Sequence, residues 1–149
     1  MTEDQQRMLQ KIYSDQQMTE SNLNLLQQRI ELIQVYITNY RSGLLVLQEI
    51  ENKKDGEEML LNVGGSIFVQ AKLLNPDKVT RGIGSGVRIE QTVEDAKAAV
   101  TEAVTNLEEQ HDTLAQEYQK LLARASVLNS QFQQLAAQIQ AAQPPAEEE

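Results

Sequence analysis

The chain has 149 residues, with 13 Lys and Arg against 22 Asp and Glu, a single His, no Cys and no Trp. A net charge of −9 argues against tracking nucleic-acid phosphates, which takes clustered basic side chains, and the missing Cys excludes disulfides, thiolate metal sites and thiol catalysis. One His makes a His-ligated metal centre hard to build. The first residues lack a basic and then apolar signal pattern, and no run approaches the roughly 18 apolar residues of a membrane span, so a soluble, cytoplasmic protein with no membrane partner is expected.

Residue types are unevenly distributed. Aromatics are only 4%, thin for a globular core, and the 20 Gln lie mostly in the two outer thirds, where they suit long exposed helix faces. Six of the seven Gly fall between Gly56 and Gly86. Acidic charge concentrates at the end: residues 92–149 hold ten acidic and three basic side chains. The pattern is helix-rich ends around a Gly-rich middle.

Residues 1–55 predict the first helix. Positions 9, 12, 16, 19, 23, 26, 30, 33, 37, 40, 44 and 47 are spaced alternately three and four apart, and ten of the twelve are apolar or aromatic, with Gln16 and Thr19 as the breaks. A 3.5-residue period holds such a stripe against a partner helix, the coiled-coil condition. Thr2 with Gln5 offers a capping box at the start, and Gly56 after Lys53 and Lys54 offers a stop.

Residues 56–91 change period. Ile67, Val69, Ala71 and Leu73 alternate with Ser66, Phe68, Gln70 and Lys72, Val79 and Ile83 flank Arg81, and Val87 and Ile89 alternate with Arg88 and Glu90. Period two with β-branched residues, broken by turn signals at Gly64-Gly65, Asn75-Pro76-Asp77 and Gly84-Ser85-Gly86, predicts two β-hairpins. Hairpins with open edges and one apolar face invite pairing with other chains, and Phe68 puts an apolar group on the second face. Ile67, Phe68, Val69, Val79, Ile83, Val87 and Ile89 are therefore the candidate oligomerisation residues. Gly82-Ile83-Gly84-Ser85-Gly86 is not a phosphate loop, because a strand and not a helix follows it and no Lys-Ser/Thr closes it.

Residues 92–143 predict the second helix, with a stripe at 93, 97, 100, 104, 107, 111, 114, 118, 121, 125, 128, 132, 135, 139 and 142 broken only by Lys97 and His111. Thr92 and Asp95 supply the capping signature, and Pro144 and Pro145 end the helix before a disordered acidic tail over 144–149. His111 reads as a polar register residue, with a pH-sensitive element or, in principle, a metal ligand as the alternatives. No nucleophile–base set, metal cluster or nucleotide loop can be assembled, so neither an enzyme nor a cofactor is expected. Helices of about 60–75 Å need partners along their length. An antiparallel return within the chain, near Leu9 with Gln134 and Ile30 with Thr113, is favoured over a parallel coil between chains.

The fold class is thus mainly α with a small β part: a long antiparallel coiled-coil hairpin whose helices are joined by two β-hairpins that assemble into an intersubunit β-barrel. This plan is similar to prefoldin. Glu58 to Ala71, reading EMLLNVGGSIFVQA, resembles the α-class pattern L-x-P-L-G-x-G-x-Y-V-x-A, with Asn62 where the family often has Pro, and Val79 to Ile89 resembles its second hairpin, V-x-I-G-x-G-V. Two hairpins in the connection point to an α subunit. The resemblance implies a hexamer of two α and four prefoldin β subunits, with the hairpins as a double barrel and the coiled coils as tentacles. It also implies an ATP-independent chaperone that holds unfolded polypeptides at the coiled-coil tips and passes them to a group II chaperonin. The alternative on the residues alone is a structural scaffold or tether without client binding.

A client surface is expected where the first stripe weakens at Gln16 and Thr19. There Met8, Leu9, Ile12, Tyr13 and Met18 cluster opposite Phe132, Leu135 and Ile139, and a loosened tip would expose apolar and adaptable Met side chains.

Overall fold

A computed structural model describes residues 2–142. In order these form helix α1 (Glu3–Glu51), strands β1 (Glu58–Gly64), β2 (Ile67–Lys72), β3 (Lys78–Gly84) and β4 (Val87–Thr92), and helix α2 (Val93–Ala141). Two long helices joined by two antiparallel hairpins are the expected plan. The Pro pair and the acidic tail lie outside the described residues.

Both helix starts are closed by the side chains that signalled them. The Gln5 amide donates to Thr2 Oγ1 at 3.3 Å while the Thr2 amide donates to Gln5 Oε1 at 3.0 Å, a reciprocal capping box. At α2 the Asp95 amide donates to Thr92 Oγ1 at 3.1 Å. The end of α1 differs from expectation. It stops at Glu51, ahead of Gly56, because the Asn52 and Lys53 amides turn to the carbonyls three residues back, Glu49 and Ile50. Gly56, at φ +78°, instead donates its amide to the Leu73 carbonyl at 2.8 Å and leads the chain into the first hairpin.

Burial follows the two stripes. Of the α1 positions only Tyr40 is exposed, and of the α2 positions only Ala142, so the 3.5-residue period marks the helix–helix seam. The chain divides into two compact units, one joining residues 1–33 with 110–149 and the other spanning 34–109. In the first unit Ile12 lines a groove with Leu128 and Leu135, and Leu9 shares another with Phe132, within a turn of the expected pairing of residue 9 with residue 134. In the second, Glu51 Oε2 accepts from Lys97 Nζ at 2.6 Å and Arg41 donates to Glu108. As α1 advances from 41 to 51 its partner retreats from 108 to 97, so the helices run antiparallel. Ile37, only 3% exposed, and Ala96 and Val104 anchor this seam. Burying one such aliphatic side chain contributes about 1.5–3 kcal/mol.

The hairpins repeat one geometry at an offset of twenty residues. Glu58 pairs with Lys72 and Lys78 with Thr92, and each ladder slips by one residue, between Asn62 and Gly64 and between Gly82 and Gly84. The slip leaves Val63 and Ile83 as bulged residues. Each loop then turns on two residues with positive φ, Gly65 and Ser66 (both +59°), or Ser85 (+51°) and Gly86 (+77°). That is the I′ conformation whose twist matches the flanking strands. The Gly-rich segment 82–86 is therefore a hairpin turn with β4 after it.

Candidate functional site

Backbone pairing decides which way the hairpin side chains point. The Leu73 amide donates to the Glu57 carbonyl at 2.9 Å and the Val93 amide to the Asp77 carbonyl at 3.1 Å. Bonded pairs alternate in an antiparallel ladder, so Glu58, Leu60 and Asn62, with Phe68, Gln70 and Lys72, turn their own N–H and C=O groups away from the partner strand. Lys78, Thr80 and Gly82, with Arg88, Glu90 and Thr92, do the same in the second hairpin. Each hairpin therefore has two open edges, and these same residues form one fully exposed outer face.

The inner faces pack on the protein. Met59 is buried, Leu61, Ala71, Val79, Arg81, Ile89 and Gln91 are half-buried, and Arg81 Nε donates to Gln91 Oε1 at 2.8 Å. The expected oligomerisation residues therefore divide three ways. Val79 and Ile89 lie half-buried on an inner face, with Val69 beside them and more exposed. Ile67, Ile83 and Val87 stand exposed beside the turns. Phe68, 58% exposed, lies on the outer face of the first hairpin, diagonal to Leu60, which is 63% exposed. Leu60 was absent from the sequence-based set, although its place two residues before Asn62 puts it on the same face as Phe68.

The expected client residues also divide. Met8 and Tyr13 are exposed, Leu9, Phe132 and Ile139 are half-buried, and Ile12 and Leu135 are buried in the seam. The seam does not loosen where it turns polar. Thr19 is 4% exposed, and its hydroxyl donates to the Asp15 carbonyl at 2.7 Å, so the polar atom is satisfied within its own helix and the residue can stay buried. Apolar exposure comes instead from a flank of α1 beside the seam: Met18, 62% exposed, then Leu25 and Leu32, spaced by seven. That second heptad stripe is the signal by which Leu25 and Leu32 could have been found. His111 is half-buried in the α2 seam with Nδ1 3.7 Å from the Asp112 carboxylate.

A further groove of about 580 Å³ lies within the second unit, between the hairpins and the helices. Tyr36, Tyr40, Gly43 and Leu47 of α1 form one side, Ala96 and Val100 of α2 contribute to it, and Leu61, Val79 and Arg81 of β1 and β3 form the rim. Gly43 is unusual there. A mid-helix Gly costs about 0.5–1 kcal/mol relative to Ala, and a Cβ at position 43 would meet nothing within 4 Å. Among the described residues no group of three or more His, Asp or Glu side chains could hold a metal ion, and no helix is long and apolar enough to cross a membrane.

Comparison with known proteins gives a consistent result. The Prefoldin family, described as prefoldin subunit, matches residues 19–138. The prefoldin subunit alpha of Methanobrevibacter smithii is 31% identical over 114 residues, covering 76% of this chain and 77% of the relative. That of Archaeoglobus fulgidus is 29% identical over 124 residues, covering 83% and 88%. Among solved structures, the filamentous PFD from Methanocaldococcus jannaschii superposes with a TM-score of 0.65 at 21% identity, covering 80% of this chain and 98% of that one. The prefoldin beta subunit from Thermococcus strain KS-1 gives 0.56 at 20% identity, covering 93% and 95%.

Proposed function

This chain belongs to the prefoldin family, and from that premise we propose that it is the α-type subunit of a cytoplasmic, ATP-independent chaperone that holds unfolded polypeptides and passes them to a group II chaperonin. The observation that carries the reading is the state of the two hairpins: four strand edges with open main-chain groups, and Ile67, Phe68, Ile83 and Val87 exposed around them. A lone chain leaves those groups uncovered, whereas strands from further subunits would satisfy them and close a barrel. A hetero-hexamer of two α and four β subunits is the assembly we propose. Met8, Tyr13 and Met18, with Leu9, Phe132 and Ile139 beside them, are the client contacts at the far ends of the helices. Flexible Met side chains suit varied clients. Ile12 and Leu135 would support this surface from within the seam.

The test joins assembly and holding. The chain mixed with β-type subunits should suppress light scattering by an aggregating unfolded client without nucleotide. Deleting residues 1–15 and 136–149 together should keep the assembled mass and abolish suppression. Equal suppression by the truncated assembly would move the client site elsewhere. The seam closed at Thr19 and Leu135 also suits a rigid spacer, and an intact assembly with no suppression at any ratio would favour that scaffold reading.

A further inference from the structure

We infer that the groove of the second unit, between the hairpins and the helices, receives the carboxyl terminus of another polypeptide that ends in an apolar residue, with Arg81 holding the terminal carboxylate. This site goes beyond the assembly and client holding proposed above and depends on neither.

Arg81 is the first reason. It is the only charged residue of the groove's lining and is half-buried. Its Nε already donates to Gln91 Oε1 at 2.8 Å, and among the described residues no carboxylate pairs with it. Gln91 therefore orients the guanidinium and leaves its terminal nitrogens as an open fork, the end-on arrangement that takes both oxygens of one carboxylate. A half-buried cation without a counter-ion calls for an anion from outside the chain. One guanidinium with no second cation beside it suits a single negative charge, whereas a phosphate group would bring nearly two.

The rest of the lining says what carries that carboxylate. Tyr36, Tyr40, Leu47 and Val100 offer apolar walls, and the open space over Gly43 adjoins them. Asn39, Asn62 and Thr80 line the same groove. Asn62 Oδ1 accepts from the Gly64 amide at 2.9 Å, which leaves its side-chain nitrogen free to donate. Neither Asn39 nor Thr80 uses its side chain in another hydrogen bond among the described residues. A plain alkyl acid would strip water from these groups and return nothing. A peptide end supplies every part: an apolar last side chain for the walls, main-chain N–H and C=O groups for the amides and the hydroxyl, and a carboxylate for Arg81.

Isothermal titration calorimetry on the full chain tests this with three probes: acetyl-Gly-Ser-Ala-Leu as the free acid, the same peptide as its C-terminal amide, and decanoate. The acid should bind about tenfold more tightly than the amide, the difference expected when a charge-assisted pair is removed. Arg81→Gln should level the two peptides. Arg81→Lys, which keeps the charge and loses the fork, should leave the acid only partly favoured. Gly43→Leu, on α1 and not on a hairpin, should fill the groove and weaken both peptides alike, so the site is tested whether or not Arg81→Gln disturbs its strand. No binding of either peptide, equal binding of acid and amide by the wild type, an acid preference that survives Arg81→Gln, or decanoate binding more tightly than the peptide acid would each overturn the proposal.

Discussion

The two hairpins share a backbone and differ in what they present. Twenty residues apart, they have matching strand lengths, bulges and two-residue turns, yet only Gly64 and Gly84 are identical across the aligned strand positions. Their inner faces do the same work, resting on the helices with residues that are mostly half-buried. Their outer faces do not: Leu60 and Phe68 on the first stand where the second has Thr80 and Arg88. A hairpin fold therefore demands little beyond Gly at positive φ and alternation on the covered face, which leaves the outer face free to be specialised. The apolar outer face costs solubility in a lone chain and makes sense only when another surface covers it. The charged one can remain in water.

The sharpest way to break this contrast is a pair of charge substitutions. Phe68→Glu, or Ile67→Lys beside the turn, should dissociate the assembly with helix content retained, whereas Arg88→Glu at the equivalent of Phe68 should leave the mass in analytical ultracentrifugation unchanged. Equal loss in both would mean the outer faces are used alike. Next in size is the helix–helix seam of the unit that holds both hairpins. Ile37→Ala, at a position 3% exposed, should destabilise the chain by about 2–4 kcal/mol in denaturant unfolding, and by the same amount in a background of Phe68→Glu.

The shared part of the geometry should respond symmetrically. Gly64 and Gly84 sit at φ +99° and +110°, where a Cβ is strained, so Gly64→Ala and Gly84→Ala should each cost about 1–3 kcal/mol. Amide exchange should rise only in the hairpin that carries the change, and unequal costs would show that the scaffolds are not equivalent. Smallest is the solvated ion pair of the second hairpin, Lys78 with Glu90 at 3.2 Å, both more than half exposed. Lys78→Ala should shift stability by no more than about 0.5 kcal/mol, a change that added salt should erase.

Local rules made much of this molecule legible in advance. The stripes from Leu9 and Val93, the caps at Thr2 and Thr92 and the turns at Gly65 and Ser85 all depend on residues within a few positions of each other. Two readings failed, one through a distant partner and one through a local bond that the pattern does not show. Gly56 looked like a helix stop but bonds to Leu73, across the first hairpin, and α1 ended earlier on its own three-residue turns. Thr19 looked like a gap in the seam, yet its hydroxyl is answered by Asp15 one turn back, so a polar letter in the pattern did not mean an open contact. The repeat of the hairpins was invisible because it lies in backbone pairing and not in side-chain identity.

Periodicity alone determined the two helices and the two hairpins, because a 3.5-residue stripe and a two-residue alternation each admit few ways to hide apolar side chains; the antiparallel return was favoured by the structured connection and shown by the Arg41–Glu108 and Lys97–Glu51 pairs. The tertiary structure alone decided which face of each hairpin is covered, that Leu60 joins Phe68 in the open, and that Gly43 lines a groove between helix and strand. Those outcomes depend on where elements far apart in the chain come to rest, and no local spacing carries that information.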